Sequence, residues 1–179
     1  MPRIDYRPED LAEPAPLVDA IRARRGGRLL HLDRMLLHSP PLAAGWNAHL
    51  GAVRTQLSLD PRLRELAMCA VAALNGAEYE FHHHAPEYLR AGGTAQQVEA
   101  LRRPERALHQ DGLFDATALA ALRLTIEMTR RVAVAEGSFA AVHAALGDRE
   151  TVELVAVIAT YNMVSRFLVA LGIEPEAPR

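Results

Sequence analysis

Apolar residues recur along this chain at the three-and-four spacing of amphipathic helices, and no stretch alternates as a half-buried strand would. The pattern is most one-sided in LAMCAVAAL, residues 66–74, which carries no charge. A helix apolar all round is buried on every side, so this segment predicts a central helix. Polar breaks divide the rest. Helices are expected near Leu17, again after Gly26-Gly27, and over 42–56 beyond Ser39-Pro40-Pro41. Asp60-Pro61 supplies an acceptor at the N-cap and proline at the first helical position, and Asn75-Gly76 supplies a stop. A fifth helix carries EYEFHHHAPEYLR and ends at Gly92-Gly93; Thr94 caps a sixth over 95–101, and a short turn follows at 104–110. Asp115 caps a helix reaching Val134, another spans 137–146, and Asp148 caps the last, to Leu171. The expectation is an all-α chain of about eight to ten helices. Prolines at 2, 8, 14 and 16 mark residues 1–12 as an extended arm, leaving one helical domain over 13–174 and a tail at 175–179.

At 179 residues, 50% hydrophobic and 23% charged, the chain is long enough to bury one substantial core. Aromatics are only 5%, so Leu, Val and Ala must fill it. A net charge of −2 with no basic stripe argues against a nucleic-acid partner. Cys69 is the single cysteine, which excludes an internal disulfide or dithiol pair. The polar N-terminus, MPRIDYRPED, has no apolar signal region. The apolar C-terminal run is broken by Glu153, Asn162 and Arg166 and makes a poor membrane span. The expected setting is cytoplasmic, with no membrane partner.

The three consecutive histidines are not one feature. Each helical residue turns about 100° from the last. With Glu80 at zero, Phe81, Ala85, Tyr88 and Leu89 form the apolar face, His83 falls among Glu87 and Arg90 on the wet side, and His82 and His84 flank the apolar face. His84 alone is both near the core and one turn beyond Glu80. Pro86 cannot donate to the carbonyl of His82, so the helix is expected to bend or loosen there. The plain alternative makes Glu78 and Glu80 helix-start acids favoured by the dipole, and His84 a border residue.

Glu65 stands at the mouth of the buried helix, with Cys69 one turn on along the same face. A carboxylate there must be paired or keep its proton. Partial burial is expected to raise its pKa and fit it for acid–base work. Neutralisation by Arg62 or Arg64 is the structural alternative.

The segment RELAMCAVAALNGAEYEFHHHAPEYLRAGGTAQQVEAL, residues 64–101, resembles the carboxymuconolactone decarboxylase and alkylhydroperoxidase D-like family. The likeness extends more loosely over Leu36–Leu171. In the peroxidase branch a glutamate is followed twelve residues later by Cys-x-x-Cys, with a histidine four residues after the second cysteine. The glutamate falls on Glu65, the cysteines on Ala77 and Glu80, and the histidine on His84. Both thiols are therefore missing, and dithiol peroxidase chemistry with them. The resemblance implies an alkylhydroperoxidase D-like helical bundle, assembled as a homo-oligomer (dimer, trimer or hexamer). The decarboxylase branch implies a cofactor-free acid–base enzyme acting on a small carboxylated lactone or related aromatic-degradation metabolite. His84 would then donate the proton or hold the oxyanion, Glu80 would orient it, and Glu65 would be the second acid–base group. Tyr79, Trp46, Cys69 and His82 are candidate pocket residues, and Arg166 a candidate anchor for a substrate carboxylate.

Three other readings compete. Lone Cys69 could reduce peroxide with an external thiol, although a thiol in a buried helix is normally inert. A metal could sit between Glu65, Glu80 and His84, although Glu80-x-x-His83 has no second copy and neighbouring histidines diverge; the expectation is no metal and no cofactor. A non-catalytic helical oligomer or small-molecule binder would show the same sequence.

Overall fold

The computed structural model describes residues 1–177, and every described element is helical. Among the described residues the helices are α1 (Ala15–Arg24), α2 (His31–Leu36), α3 (Pro40–Thr55), α4 (Pro61–Asn75), α5 (Glu78–Arg90), α6 (Ala95–Leu101), α7 (Pro104–Ala107), α8 (Ala116–Arg131) and α9 (Glu136–Leu171). Among the described residues the all-α expectation therefore stands, and most boundaries lie within a few residues of those read from the sequence. The tail expected at 175–179 is described to residue 177; Pro178 and Arg179 lie outside the described residues.

The chain divides into two compact units. The first comprises Met1–Gln56 with the chain's end from Ala170. Here α1 and α2 pack on α3, burying Val18, Ile21, Leu32, Met35, Trp46 and Leu50. Buried Asp33 is paired with Arg24 at 3.4 Å and Arg25 at 3.1 Å. The N-terminal arm is fastened to this unit: the Arg3 N–H donates to the Leu171 carbonyl at 2.9 Å, and Tyr6 stacks on His31 with centroids 4.3 Å apart.

The second unit, Leu57–Val169, is built around α4. Its residues from Leu66 to Ala72 are all buried, as their unbroken apolar run requires. α4 packs against α5 and α8 and touches α6 and α7. Its ends are set locally. The Asp60 carboxylate accepts from the Arg62 N–H at 2.6 Å, and Gly76 closes the helix in the left-handed region at φ 66°, where a side chain would be strained. α5 leaves immediately from Ala77 and runs back along α4. Thr94 and Gln97 exchange backbone and side-chain hydrogen bonds across the start of α6, and Asp115 Oδ1 accepts from the Ala118 N–H at 2.8 Å.

α5 continues through Pro86 to Arg90, close to its expected end. The break expected between the last two helices is present: α9 is kinked at Gly147, where a non-helical φ of 69° separates the two segments. One expectation changes: Asp148 does not act as a cap, and its carboxylate lies 2.6 Å from His143 Nε2. Among the described residues, α9 is the one helix long and apolar enough to cross a membrane by length and composition, and half of that apolar window is buried within the fold.

Candidate active site

The site is assembled from residues of α4, α5 and α9 that lie in the second unit. Glu65 lies one turn into α4, facing the core, and is only 5% exposed. Its Oε2 sits 2.6 Å from His84 Nδ1, and its Oε1 sits 3.3 Å from Arg64 Nε. Burial pushes the Glu65 carboxyl up, but the His84 hydrogen bond and charge, with Arg64 behind them, outweigh it and hold the pKa below its usual value. The expected rise is thus reversed. Position alone gave the desolvation; the partners that overcome it come from a residue nineteen positions away in the chain and from the next-door guanidinium. Arg62, the other arginine considered, is paired with Asp115 at 2.7 Å.

An ionised carboxylate only accepts hydrogen bonds, so Nδ1 of His84 carries the hydrogen of this contact. Neutral His84 is thereby fixed in the tautomer protonated at Nδ1 and unprotonated at Nε2, and charged His84 has a counter-ion already in place. The orienting role expected of Glu80 is taken at Nδ1 by Glu65. Glu80, 2% exposed, instead accepts from Ser165 Oγ of α9 through Oε2. One turn earlier on α9, the Tyr161 ring meets the His84 ring edge to face, with centroids 4.9 Å apart. Ser165 and Tyr161 are fully buried. Sequence reasoning did not select either one. The available signal was a hydroxyl pair at four-residue spacing inside an apolar helix, a costly placement unless the hydroxyls have work in the core.

The remaining candidates separate. Tyr79 is buried, with its ring 4.5 Å from that of His83. The wheel is corrected for the other histidines: His82 is exposed, and His83, expected to be wet, is half-buried. Leu89, placed on the apolar face, is 44% exposed. Trp46 is a core residue of the first unit. Arg166 folds back on its own helix, donating to the Asn162 carbonyl at 3.0 Å and to Asn162 Oδ1 at 3.2 Å. Asn162 in turn accepts from Asn75 and donates to Thr129, so this arginine closes a structural polar network.

Cys69 is fully buried on α4. Burial, then the negative charges of Glu65 and Glu80, push its thiol far above the ordinary range. A thiolate is therefore disfavoured. Among the described residues no group of three or more His, Cys, Asp or Glu side chains is arranged to hold a metal ion.

Solved structures with the same fold include an uncharacterized peroxidase-related protein from Silicibacter sp. TM1040, 19% identical, with a TM-score of 0.78 over 98% of this chain and 90% of that one. A second uncharacterized peroxidase-related protein, an alkylhydroperoxidase AhpD core from Ralstonia eutropha JMP134, is 18% identical, with a TM-score of 0.81 over 98% and 92%. The debrominase Bmp8, solved as a variant in complex with 2,3,4-tribromopyrrole, is 14% identical, with a TM-score of 0.80 over 99% and 95%. At these identities the likeness establishes the fold. No curated protein matches the sequence. The model of the Carboxymuconolactone decarboxylase family matches residues 40–127, a region that contains Glu65, Glu80 and His84. Residues 40–127 thus carry the match to the carboxymuconolactone decarboxylase family, on an alkylhydroperoxidase D-like helical fold and without a Cys-x-x-Cys pair.

Proposed function

We propose that the protein is a cofactor-free acid–base enzyme of the decarboxylase type, acting on a small carboxylated lactone or a related metabolite of aromatic degradation. The observation that carries this reading is the buried 2.6 Å contact between His84 Nδ1 and Glu65. It leaves Nε2 as the nitrogen that exchanges a proton and gives the resulting imidazolium a fixed counter-charge. Glu65 is a positioning residue in this scheme, and Glu80, held by Ser165, is the second carboxyl of the site.

In the proposed reaction, the bond between the substrate carboxylate and its ring carbon breaks, releasing carbon dioxide. Its electron pair passes through a conjugated double bond onto the lactone carbonyl oxygen. The pair then returns to form a C–H bond with the proton delivered from His84 Nε2. A dry site favours the first step, because it strips water from the departing carboxylate. The setting proposed with it is a cytoplasmic homo-oligomer with a small-molecule substrate.

The lone-thiol peroxidase reading draws on the neighbours described as peroxidase-related. Against it stands Cys69, sealed in α4 with its pKa raised. The deciding experiment pairs two assays on purified protein: carbon dioxide release from aromatic-pathway lactone acids, and peroxide consumption with a dithiol reductant. Lactone turnover should fall about 10²–10⁴-fold in His84→Gln, the usual worth of a general acid–base group, and persist in Cys69→Ser. Peroxide consumption that disappears in Cys69→Ser would overturn the proposal.

A further inference from the structure

Arg166 is engaged by Asn162, whereas another guanidinium, that of Arg102, borders a recess. Where α4 turns into α5, a recess of about 140 Å³ opens between the two helices and Arg102, just past the end of α6. Small residues shape its walls: Ala73, Gly76 and Ala77. Buried Phe81 supplies an aromatic surface, and the Arg102 guanidinium carbon lies 4.4 Å from the centre of that ring.

We propose that this recess binds a single-ring carboxylate, anchored through Arg102. The recess and Arg102 carry the proposal by themselves, independently of the proposed function. Size comes first: one benzene ring takes a cavity of about 150 Å³, and the recess offers about 140 Å³. Charge comes second. A guanidinium in contact with an aromatic face keeps its N–H donors in its own plane, arranged as a fork that matches a carboxylate.

The present partners of Arg102 hold it loosely. Glu78 Oε1 lies 3.7 Å from Nη1 and Glu99 Oε2 lies 3.6 Å from Nε, both beyond hydrogen-bond distance. Both carboxylates are mostly in water, 68% and 81% exposed. Exposed pairs of this kind contribute little, so a ligand carboxylate making two direct hydrogen bonds displaces them. Glu78, which also lines the recess, then acts as a repulsive neighbour that tunes affinity downward.

The recess stands apart from the acid–base residues: Ala77, Glu78 and Phe81 line it from the start of α5, and Glu65, Glu80 and His84 do not.

The test is a titration of the full chain with benzoate, followed by amide NMR shifts, with benzamide as the neutral twin. Shifts at Ala73, Ala77 and Phe81 are expected with benzoate. Arg102→Gln, a surface change, should weaken benzoate about tenfold while leaving benzamide unchanged, the loss of one charge-assisted pair. Glu78→Gln should tighten benzoate. Absence of benzoate binding to the unmodified chain, or the same affinity in Arg102→Gln, overturns the anchor. His84→Gln separates the two readings. It should lose turnover and keep its benzoate affinity. Turnover lost there with benzoate indifferent to Arg102 leaves the acid–base site and removes the recess; benzoate dependent on Arg102 with turnover intact in His84→Gln keeps the recess and removes the acid–base reading.

Discussion

Ser165 Oγ donates its hydrogen bond to Glu80 Oε2, and one turn away along both helices Tyr161 closes on His84. The two contacts share one geometry. Glu80 and His84 are four apart on α5, Tyr161 and Ser165 four apart on α9, and the order is reversed, so the two helices meet as an antiparallel pair of rungs. One rung fixes a buried carboxyl and the other packs a buried imidazole.

Ser165→Ala removes the hydroxyl that donates to Glu80 Oε2 and leaves a methyl in a fully buried position. Hydrogen bonds to a charged group contribute about 1.5–3 kcal/mol, and a buried acceptor that loses its donor costs about the same. Urea unfolding should show a stability loss of that size with unchanged denaturant dependence. The double variant with Glu80→Gln should lose less than the sum of the two single changes, since both break the same rung. Strict additivity would mean the contact is energetically idle.

Glu65 should leave a signature in acid. Its pKa in the folded protein lies below the ordinary value of 4.5, because His84 and Arg64 outweigh the desolvation. A carboxyl with a depressed folded pKa adds stability in full above the unfolded value. That contribution is lost as pH falls from the unfolded pKa through the folded one. Thermal midpoints of the unmodified protein should therefore drop on acidification below about pH 4.3. Glu65→Gln should be less stable at neutral pH and show a flatter profile across that acid range. Parallel profiles for the two proteins would remove Glu65 as the source.

The sequence carried the architecture well where the signal was local. The apolar run of α4, the Asp60 and Asp115 caps and the Gly76 stop each declare themselves within a few residues, and each appears in the structure. Glu65 and His84 were each legible as candidates, Glu65 as a charge at the mouth of a buried helix and His84 as the histidine nearest the core, and both are buried. Their partners were not. Which carboxyl meets Nδ1 depends on how α4 and α5 are rotated against one another; Glu80 is the sequence neighbour, and Glu65 holds that nitrogen. Ser165 and Tyr161 lie eighty-five and seventy-seven positions from their partners, beyond the reach of any periodicity argument. The wheel also misjudged His82 and His83, because a wheel knows one helix and not which neighbours cover it.

Cys69 should behave as an inert core group. It is fully buried, with its thiol pKa pushed up first by burial and then by Glu65 and Glu80. Iodoacetamide at pH 8 should label it only as fast as the protein opens, and completely in denaturant. Rapid stoichiometric labelling of the folded chain would place the thiol within reach of solvent and restore the lone-thiol reading.

Gly93 offers a steric test of the segment that ends α5. A Cβ built on it would overlap the ring of Tyr88, which is 1% exposed and donates from its hydroxyl to Gln97 Oε1 at 3.0 Å. Gln97 is in turn the residue that caps α6 with Thr94 and donates to the Leu113 carbonyl at 2.8 Å. The ring cannot retreat without breaking that chain of bonds, and the methyl cannot be absorbed by a flexible tip. Gly93→Ala should therefore cost about 1–3 kcal/mol, the usual penalty of overpacking, seen as a lower urea midpoint. Tyr88→Phe in the same background should not relieve it, because the collision is with ring carbons and the hydroxyl is not involved. Tyr88→Leu, which removes the ring, should recover part of the loss. Full tolerance of Gly93→Ala would show that α5 can shift against α6, and the rigid placement of Tyr88 would have to be abandoned.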